Sequence, residues 1–141
     1  MNIRVFSSSY LGVEPYLIEV EIDISNGLPI FSIVGLGDTA ISESKDRIKT
    51  ALKNCDYKVE PKRMIVNLSP AGIKKEGAQF DLPIAVGIML AMGYIRDKNS
   101  VLDSYIFLGE LSLDGKVRGI KGIINSMILA KEKIIQELYF L

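Results

Sequence analysis

The residue pattern of this chain specifies an α+β domain with helices packed on a mixed β-sheet, on three grounds. Residues 16–24 (YLIEVEIDI) alternate apolar and polar positions, the period of a half-buried strand. Leu82–Tyr94 is apolar nearly all round, as a helix sandwiched between other layers must be. Strand-like and helix-like segments interleave in the order β-β-β-α-β-α-β-β-α-β. With 141 residues there is enough chain for one domain, and 48% hydrophobic content with a mean hydropathy of +0.25 supplies its core.

The elements follow in order. Residues 2–7 (NIRVFS) alternate like residues 16–24, where Ile18, Val20, Ile22 and Ile24 form one face and Leu17, Glu19, Glu21 and Asp23 the other. Ser25-Asn26-Gly27 is a turn, and Leu28–Val34 continues as a third strand, so the chain is expected to open as an antiparallel meander. Gly35-Leu36-Gly37 breaks that strand, and Asp38 or Thr39 is placed to cap the next helix. Ile41, Ile48, Ala51, Leu52 and Cys55 fall on one helical stripe, with Glu43, Lys45, Asp46, Lys49 and Lys53 outside it. Cys55, the lone cysteine, reads as a small buried hydrophobe.

Met64–Leu68 is a short strand. The helix at Leu82–Tyr94 follows, with Asp81 as its N-cap and Pro83 in its first turn. Burying its large apolar side chains contributes on the order of 10–20 kcal/mol before entropy is subtracted. Arg96–Asp103 is a polar loop, Tyr105–Leu108 and Leu111–Leu113 are strands, and Asp114-Gly115 turns between strands. Ile123–Lys133 forms a last helix, and Glu137–Leu141 reads as an entering strand, the mark of a piece of something longer.

Composition removes several chemistries. Without histidine there is no Ser-His-Asp or Cys-His catalysis and no histidine metal site, and one cysteine allows no internal disulfide. Lys+Arg and Asp+Glu both total 17, so no net field draws the domain to nucleic acid or membrane. The longest apolar run falls short of the ~20 residues of a membrane span, and no signal-peptide core opens the chain, so a cytoplasmic protein is expected.

Four local patterns bear on chemistry. Gly35-Leu36-Gly37-Asp38-Thr39-Ala40 matches G-x-G-x-x-A, with Glu60 about twenty residues on. Against a dinucleotide stand the antiparallel context and Asp38, which would repel a diphosphate, so a structural turn is the favoured reading. Gly109–Val117 (GELSLDGKV) lacks the spacing and the Ser/Thr of a phosphate-binding loop and reads as a hairpin. Ser69 with Lys74 or Lys75 is the local pair nearest to a Ser-Lys dyad, with Ser112 a further serine, but two lysines on a polar turn are usually solvated. Glu76, Asp81 and Glu110 come from three turns that could converge on a metal, though capping accounts for them more simply. Lys62-Arg63 and Lys74-Lys75 flank the 64–68 strand as the best basic cluster and suggest nucleic-acid contact.

Two resemblances attach to these residues. Asn67–Ala91 and Phe107–Ile123 resemble in layout the proteolytic domain of Lon-type Ser-Lys peptidases. In that likeness the nucleophilic serine falls at Gln79, after Lys75-Glu76-Gly77-Ala78, and the partner lysine falls at Ile124, after Gly122-Ile123. Together, residues 19–52, 61–91 and 107–123 resemble the N-terminal domain of the YifB/ComM-type magnesium-chelatase-like AAA+ ATPases. The resemblance implies a ribosomal S5 domain 2-like fold and a non-catalytic accessory domain. It would precede an ATPase module that binds ATP and Mg2+ and works as a hexameric ring on DNA in recombination and competence.

No catalytic, cofactor or metal residue is then expected in this chain. Its candidate contacts to substrate or to its own ATPase module are Lys62, Arg63, Lys74, Lys75, Glu76, Gln79 and Glu110. The expected partners are the AAA+ module, further copies of the same protein and DNA, with no membrane. A divergent Ser-Lys peptidase and a dinucleotide-binding module at Gly35-Gly37 are the alternatives.

Overall fold

A computed structural model describes residues 2–11, 14–120 and 137–140. Ten-residue β1 (Asn2–Leu11) and twelve-residue β2 (Glu14–Ser25) form an antiparallel pair. Then come β3 (Phe31–Val34), helix α1 (Asp38–Asn54), β4 (Arg63–Ser69) and helix α2 (Asp81–Ala91). A 3-10 turn (Val101–Ser104) leads into β5 (Tyr105–Leu108), and β6 (Glu110–Leu111) and β7 (Val117–Arg118) form a small hairpin. The strand β8 (Glu137–Phe140) completes a six-stranded mixed sheet in the order β3-β4-β2-β1-β5-β8. The fold is α+β, as the pattern specified. The helix expected over Ile123–Lys133, with Gly122 and Ile124, lies outside the described residues.

The alternation in β2 translates directly into packing: Ile18, Val20 and Ile22 are fully buried and Ile24 nearly so. They share one cluster with Ile84 and Ile88 from α2, with Phe80 just before that helix, and with Ile48, Ala51 and Leu52 from α1. Asp81 through Ile88 are buried without a break, so α2 lies between sheet and α1, as an all-round apolar helix requires. Gly87 permits that closeness, since a Cβ there would collide with the Ile22 side chain. On the opposite face Ile106 and Leu108 form a separate small cluster with Leu17 and Ile120. Among the described residues no helix is long and apolar enough to cross a membrane.

Several expectations are corrected. The opening meander does not form: β3 pairs in parallel with β4, because β2 already carries β1 on one edge and β4 on the other. The unit β3-α1-β4 is therefore a parallel crossover, in which the helix supplies the length that parallel strands need. The stretch expected as a strand from Leu28 begins only at Phe31, and the α2 helix ends at Ala91 rather than Tyr94. Asp97 in the polar loop accepts the Val101 and Leu102 N–H groups at 2.8 and 3.0 Å and so organises the 3-10 turn. Neither Asp38 nor Thr39 caps α1; Gly37 holds the cap position, with no side-chain hydrogen bond. Cys55 is exposed, because α1 ends there and leaves its Sγ beside the Asp114 carbonyl.

β1 runs past the expected residue 7 through a triple serine. Ser7, Ser8 and Ser9 are all buried, and the Ser7 hydroxyl donates to the Phe107 carbonyl at 2.8 Å. A hydroxyl satisfied in this way can sit in a sheet interior at little cost.

Candidate functional site

The loop between β4 and α2 (70–80) holds most of the residues that chemistry singles out. It leaves β4 through a cis Ser69–Pro70 peptide and faces the glycine turn before α1 across an open cavity. The cavity encloses about 640 Å3 and is lined by Gly35, Gly37 and Asp38 on one side and by Ile73, Lys74 and Glu76 on the other.

The two adjacent lysines behave differently. Lys74 is exposed and pairs with Glu76 at 2.7 Å, a bond that raises its pKa. Lys75 is 4% exposed, which corrects the expectation that both would be solvated. Its ammonium donates to the Pro70 and Ile73 carbonyls, the latter at 2.8 Å, and among the described residues no carboxylate pairs with it. Burial pushes its pKa down, since the charged form has lost its water.

The aliphatic stem of Lys75 also explains Gly35. That glycine has φ +109°, and a Cβ there would sit 2.7 Å from the Leu68 carbonyl and 3.2 Å from Lys75 Cε. Gly37 differs, since a Cβ would meet nothing within 4 Å. The parallel β3-α1-β4 unit removes one of the two objections to a dinucleotide site. However, among the described residues β3 is the outermost strand of the sheet and borders no crevice between diverging crossovers of the kind such cofactors occupy. Gly35 is accounted for by internal packing, and Asp38 still faces the cavity.

The serines go elsewhere. Ser69 Oγ donates to the Glu19 carbonyl at 3.5 Å, and Ser112 Oγ donates to the Asp114 carboxylate within the β6–β7 turn. That Ser112 bond, followed by the Lys116 N–H, holds the Asp114 pKa below the usual carboxylate range. The β6–β7 turn thus directs the Ser112 hydroxyl and the Lys116 N–H to its own carboxylate, as a hairpin tip does. Gln79 is tied through its backbone: its carbonyl accepts the Gly109 N–H at 3.0 Å, while the Gly109 carbonyl accepts the Leu82 N–H at 3.0 Å.

Asp81 is the largest departure from expectation. It does not cap α2, whose cap position is Phe80 without a side-chain bond. Its fully buried carboxylate accepts the Ser44 hydroxyl at 2.6 Å, Arg47 Nε at 2.6 Å, Arg47 Nη2 at 3.2 Å and the Leu111 N–H at 3.2 Å. The bond to Asp81 raises the Arg47 pKa, with smaller help from Glu110 and Glu43. Ser44 and Arg47 carry no motif. The available signal was Ser44 interrupting the apolar stripe of α1, which implies a buried polar partner.

The remaining candidates are scattered. Asp81 and Glu110 come together around Arg47, whose pKa both raise, while Glu76 pairs with Lys74 on the surface. Among the described residues no group of three or more Cys, Asp or Glu could hold a metal. Lys62, paired with Glu60 at 3.4 Å, and exposed Arg63 lie at the start of β4, whereas Lys74 and Lys75 follow its end. Six further strand residues, 64–69, separate the two pairs by roughly 20 Å, so they are two patches and not one.

The matched sequence range covers this whole arrangement. The family described as subunit ChlI of Mg-chelatase matches residues 20–140, which include Arg47, Lys75 and Asp81. The chain belongs to that family. Within it, the ComM/YifB type is the near relation. Competence protein ComM of Haemophilus influenzae is 42% identical over 134 residues, 95% of this chain and 26% of the relative. An uncharacterized protein YifB of Escherichia coli is 40% identical over 122 residues, 86% of this chain and 24% of the relative. An uncharacterized Mycobacterium tuberculosis protein is 37% identical over 128 residues, 91% and 25% respectively. This ChlI-family chain therefore spans about a quarter of the length of its relatives.

Proposed function

We propose that the chain is a non-catalytic accessory domain of a magnesium-chelatase-like AAA+ ATPase, supporting ring assembly or positioning DNA for the motor. The observation that carries this reading is the disposition of Lys75. Its amine is committed to two carbonyls of its own loop, and Gln79 stands where a Ser-Lys site would need a hydroxyl. A lysine acts as a base only with a nucleophile beside it, and an amide cannot attack a carbonyl. The relatives, about four times longer, leave room for an ATPase module that would bind ATP and Mg2+, and one of them is named a competence protein. The whole protein is then a hexameric, cytoplasmic, DNA-remodelling motor.

Removing the matching segment from the Haemophilus ComM relative tests the role. ATP hydrolysis is expected to survive while hexamer formation or action on branched DNA is lost. Unchanged assembly together with unchanged DNA activity would refute it.

One observation favours a second reading, a divergent Ser-Lys hydrolase: a buried lysine of lowered pKa is what such an enzyme uses as its base. A fluorophosphonate probe is expected to leave the 141-residue chain unmodified. Stoichiometric labelling of Ser69 or Ser112 would put the hydrolase in place of the accessory domain.

A further inference from the structure

Away from the 70–80 loop, a second cavity of about 610 Å3 opens between the start of β3, the C-terminal half of α1 and the segment that joins α1 to β4. Its volume lies within the range of ordinary binding pockets, roughly 300–1,000 Å3. The floor is apolar, made by Phe31, Ile48, Leu52 and Met64. The rim carries Lys49, Lys53, Lys58 and Lys62 against Asp56 and Glu60; with Lys62 and Glu60 paired to each other, three lysines stand against one carboxylate. Lys45 and Lys49 lie over the Phe31 ring at 5.7 and 5.6 Å, which adds positive charge along the same wall.

The wall formed by β3 has a further property. β3 ends the sheet, and among the described residues no strand covers its outer side. The Met64 N–H donates inward to the Ile30 carbonyl at 2.7 Å. Backbone groups alternate sides along a strand, so the N–H and C=O of Phe31 and Ile33 point outward. Such an edge is a template for another extended chain. Two large apolar side chains stand exposed beside it, Leu28 at 77% and Ile30 at 48%. The four residues of β3, FSIV, include no charge and no proline, two of the devices that natural sheets use to block edge pairing.

We propose that this edge and cavity form a docking site for an extended peptide segment whose cavity-facing side chains, every second residue, are an apolar one flanked by acidic ones. The segment pairs with the outer edge of β3, drops an apolar side chain onto Phe31, Leu52 and Met64, and sets its carboxylates against the rim lysines. Charge decides between occupants. A basic peptide or a neutral one forgoes the excess of lysines, and nucleic acid would leave the apolar floor unused. The proposal does not depend on the accessory role argued above, since it concerns neither the 70–80 loop nor catalysis.

The test uses a fluorescein-labelled heptapeptide, Ser-Glu-Ser-Leu-Ser-Glu-Ser, which can turn leucine and both glutamates to one face, titrated against the 141-residue chain by fluorescence anisotropy, with hydrogen exchange read at single amides. Saturable binding is expected, with exchange slowed at Phe31 and Ile33. A Lys53→Glu, Lys58→Glu variant, altered at two exposed positions, is expected to bind at least tenfold more weakly with its melting temperature nearly unchanged. The proposal is overturned if the peptide fails to bind, if a lysine-for-glutamate peptide binds equally well, or if binding leaves the Phe31 and Ile33 amides unprotected. Saturation by sodium decanoate or by a single-stranded oligonucleotide in the absence of peptide binding would likewise overturn it and give the cavity to that ligand.

Discussion

Arg47 Nε meets the Asp81 carboxylate at 2.6 Å, joining the middle of α1 to the first turn of α2 where Asp81 has no contact with solvent. Ser44 and the Leu111 N–H take the remaining acceptor sites, so the same carboxylate also holds the β6–β7 hairpin. A buried pair of this kind adds little net stability, but removing one partner strands the other.

Arg47→Met is accordingly expected to cost about 3 kcal/mol, toward the low end for a broken buried pair because the guanidinium is partly exposed. Asp81→Leu should cost a similar amount, because Ser44 and the Leu111 N–H lose their acceptor. Urea unfolding of both single variants and the double variant measures the coupling. Strictly additive losses would show that the two side chains do not act as a pair.

Gly35 and Gly37 belong to one sequence motif but should respond oppositely to substitution. Gly35→Ala puts a Cβ against the Leu68 carbonyl at positive φ and is expected to lose about 2 kcal/mol or more. Gly37→Ala enters open space at φ −68° and should change stability by less than about 0.5 kcal/mol. Thermal unfolding with and without NAD separates this from a cofactor cradle. Stabilisation by NAD that Gly37→Ala abolishes would restore the dinucleotide reading.

The buried amine of Lys75 imposes a pH dependence. Its folded pKa lies below the 10.5 of an unperturbed lysine, so between those two values the unfolded chain binds more protons than the folded one. Stability must rise with pH across that window, and the cost of the buried charge is complete below it. Lys75→Met lacks the titrating group. Relative to that variant, the parent chain should gain stability as pH rises through alkaline values toward 10.5. Urea midpoints whose difference is flat with pH would contradict the assignment.

Cys55 is exposed at the end of α1, so it should react stoichiometrically with a disulfide reagent in the native state. Protection until denaturant is added would mean that the thiol is covered. Gly115, whose Cβ would collide with the Cys55 sulfur, is the position where a substitution should change that reactivity.

Elements defined by a repeating pattern were legible in the residues. The four isoleucine and valine positions of β2 and the apolar run of α2 declare burial because side-chain direction repeats with the backbone period. Ser7, Ser8 and Ser9 were not legible, because three hydroxyls resemble a loop until the Phe107 carbonyl is placed beside them. Asp81 failed for the same reason: next to Leu82-Pro83 it looks like a cap, and only the arrival of α1 from 34 residues earlier in the chain gives it Arg47.

The residue pattern alone therefore established the α+β class, the buried faces of β2 and α2 and the lack of a serine at position 79. Packing in three dimensions settled which strands are neighbours, which of two adjacent lysines is buried and which side chains satisfy Asp81. Periodicity is a local property, carried by consecutive residues. Pairing and charge compensation join residues far apart in the chain, and only a folded backbone sets the distances on which they depend.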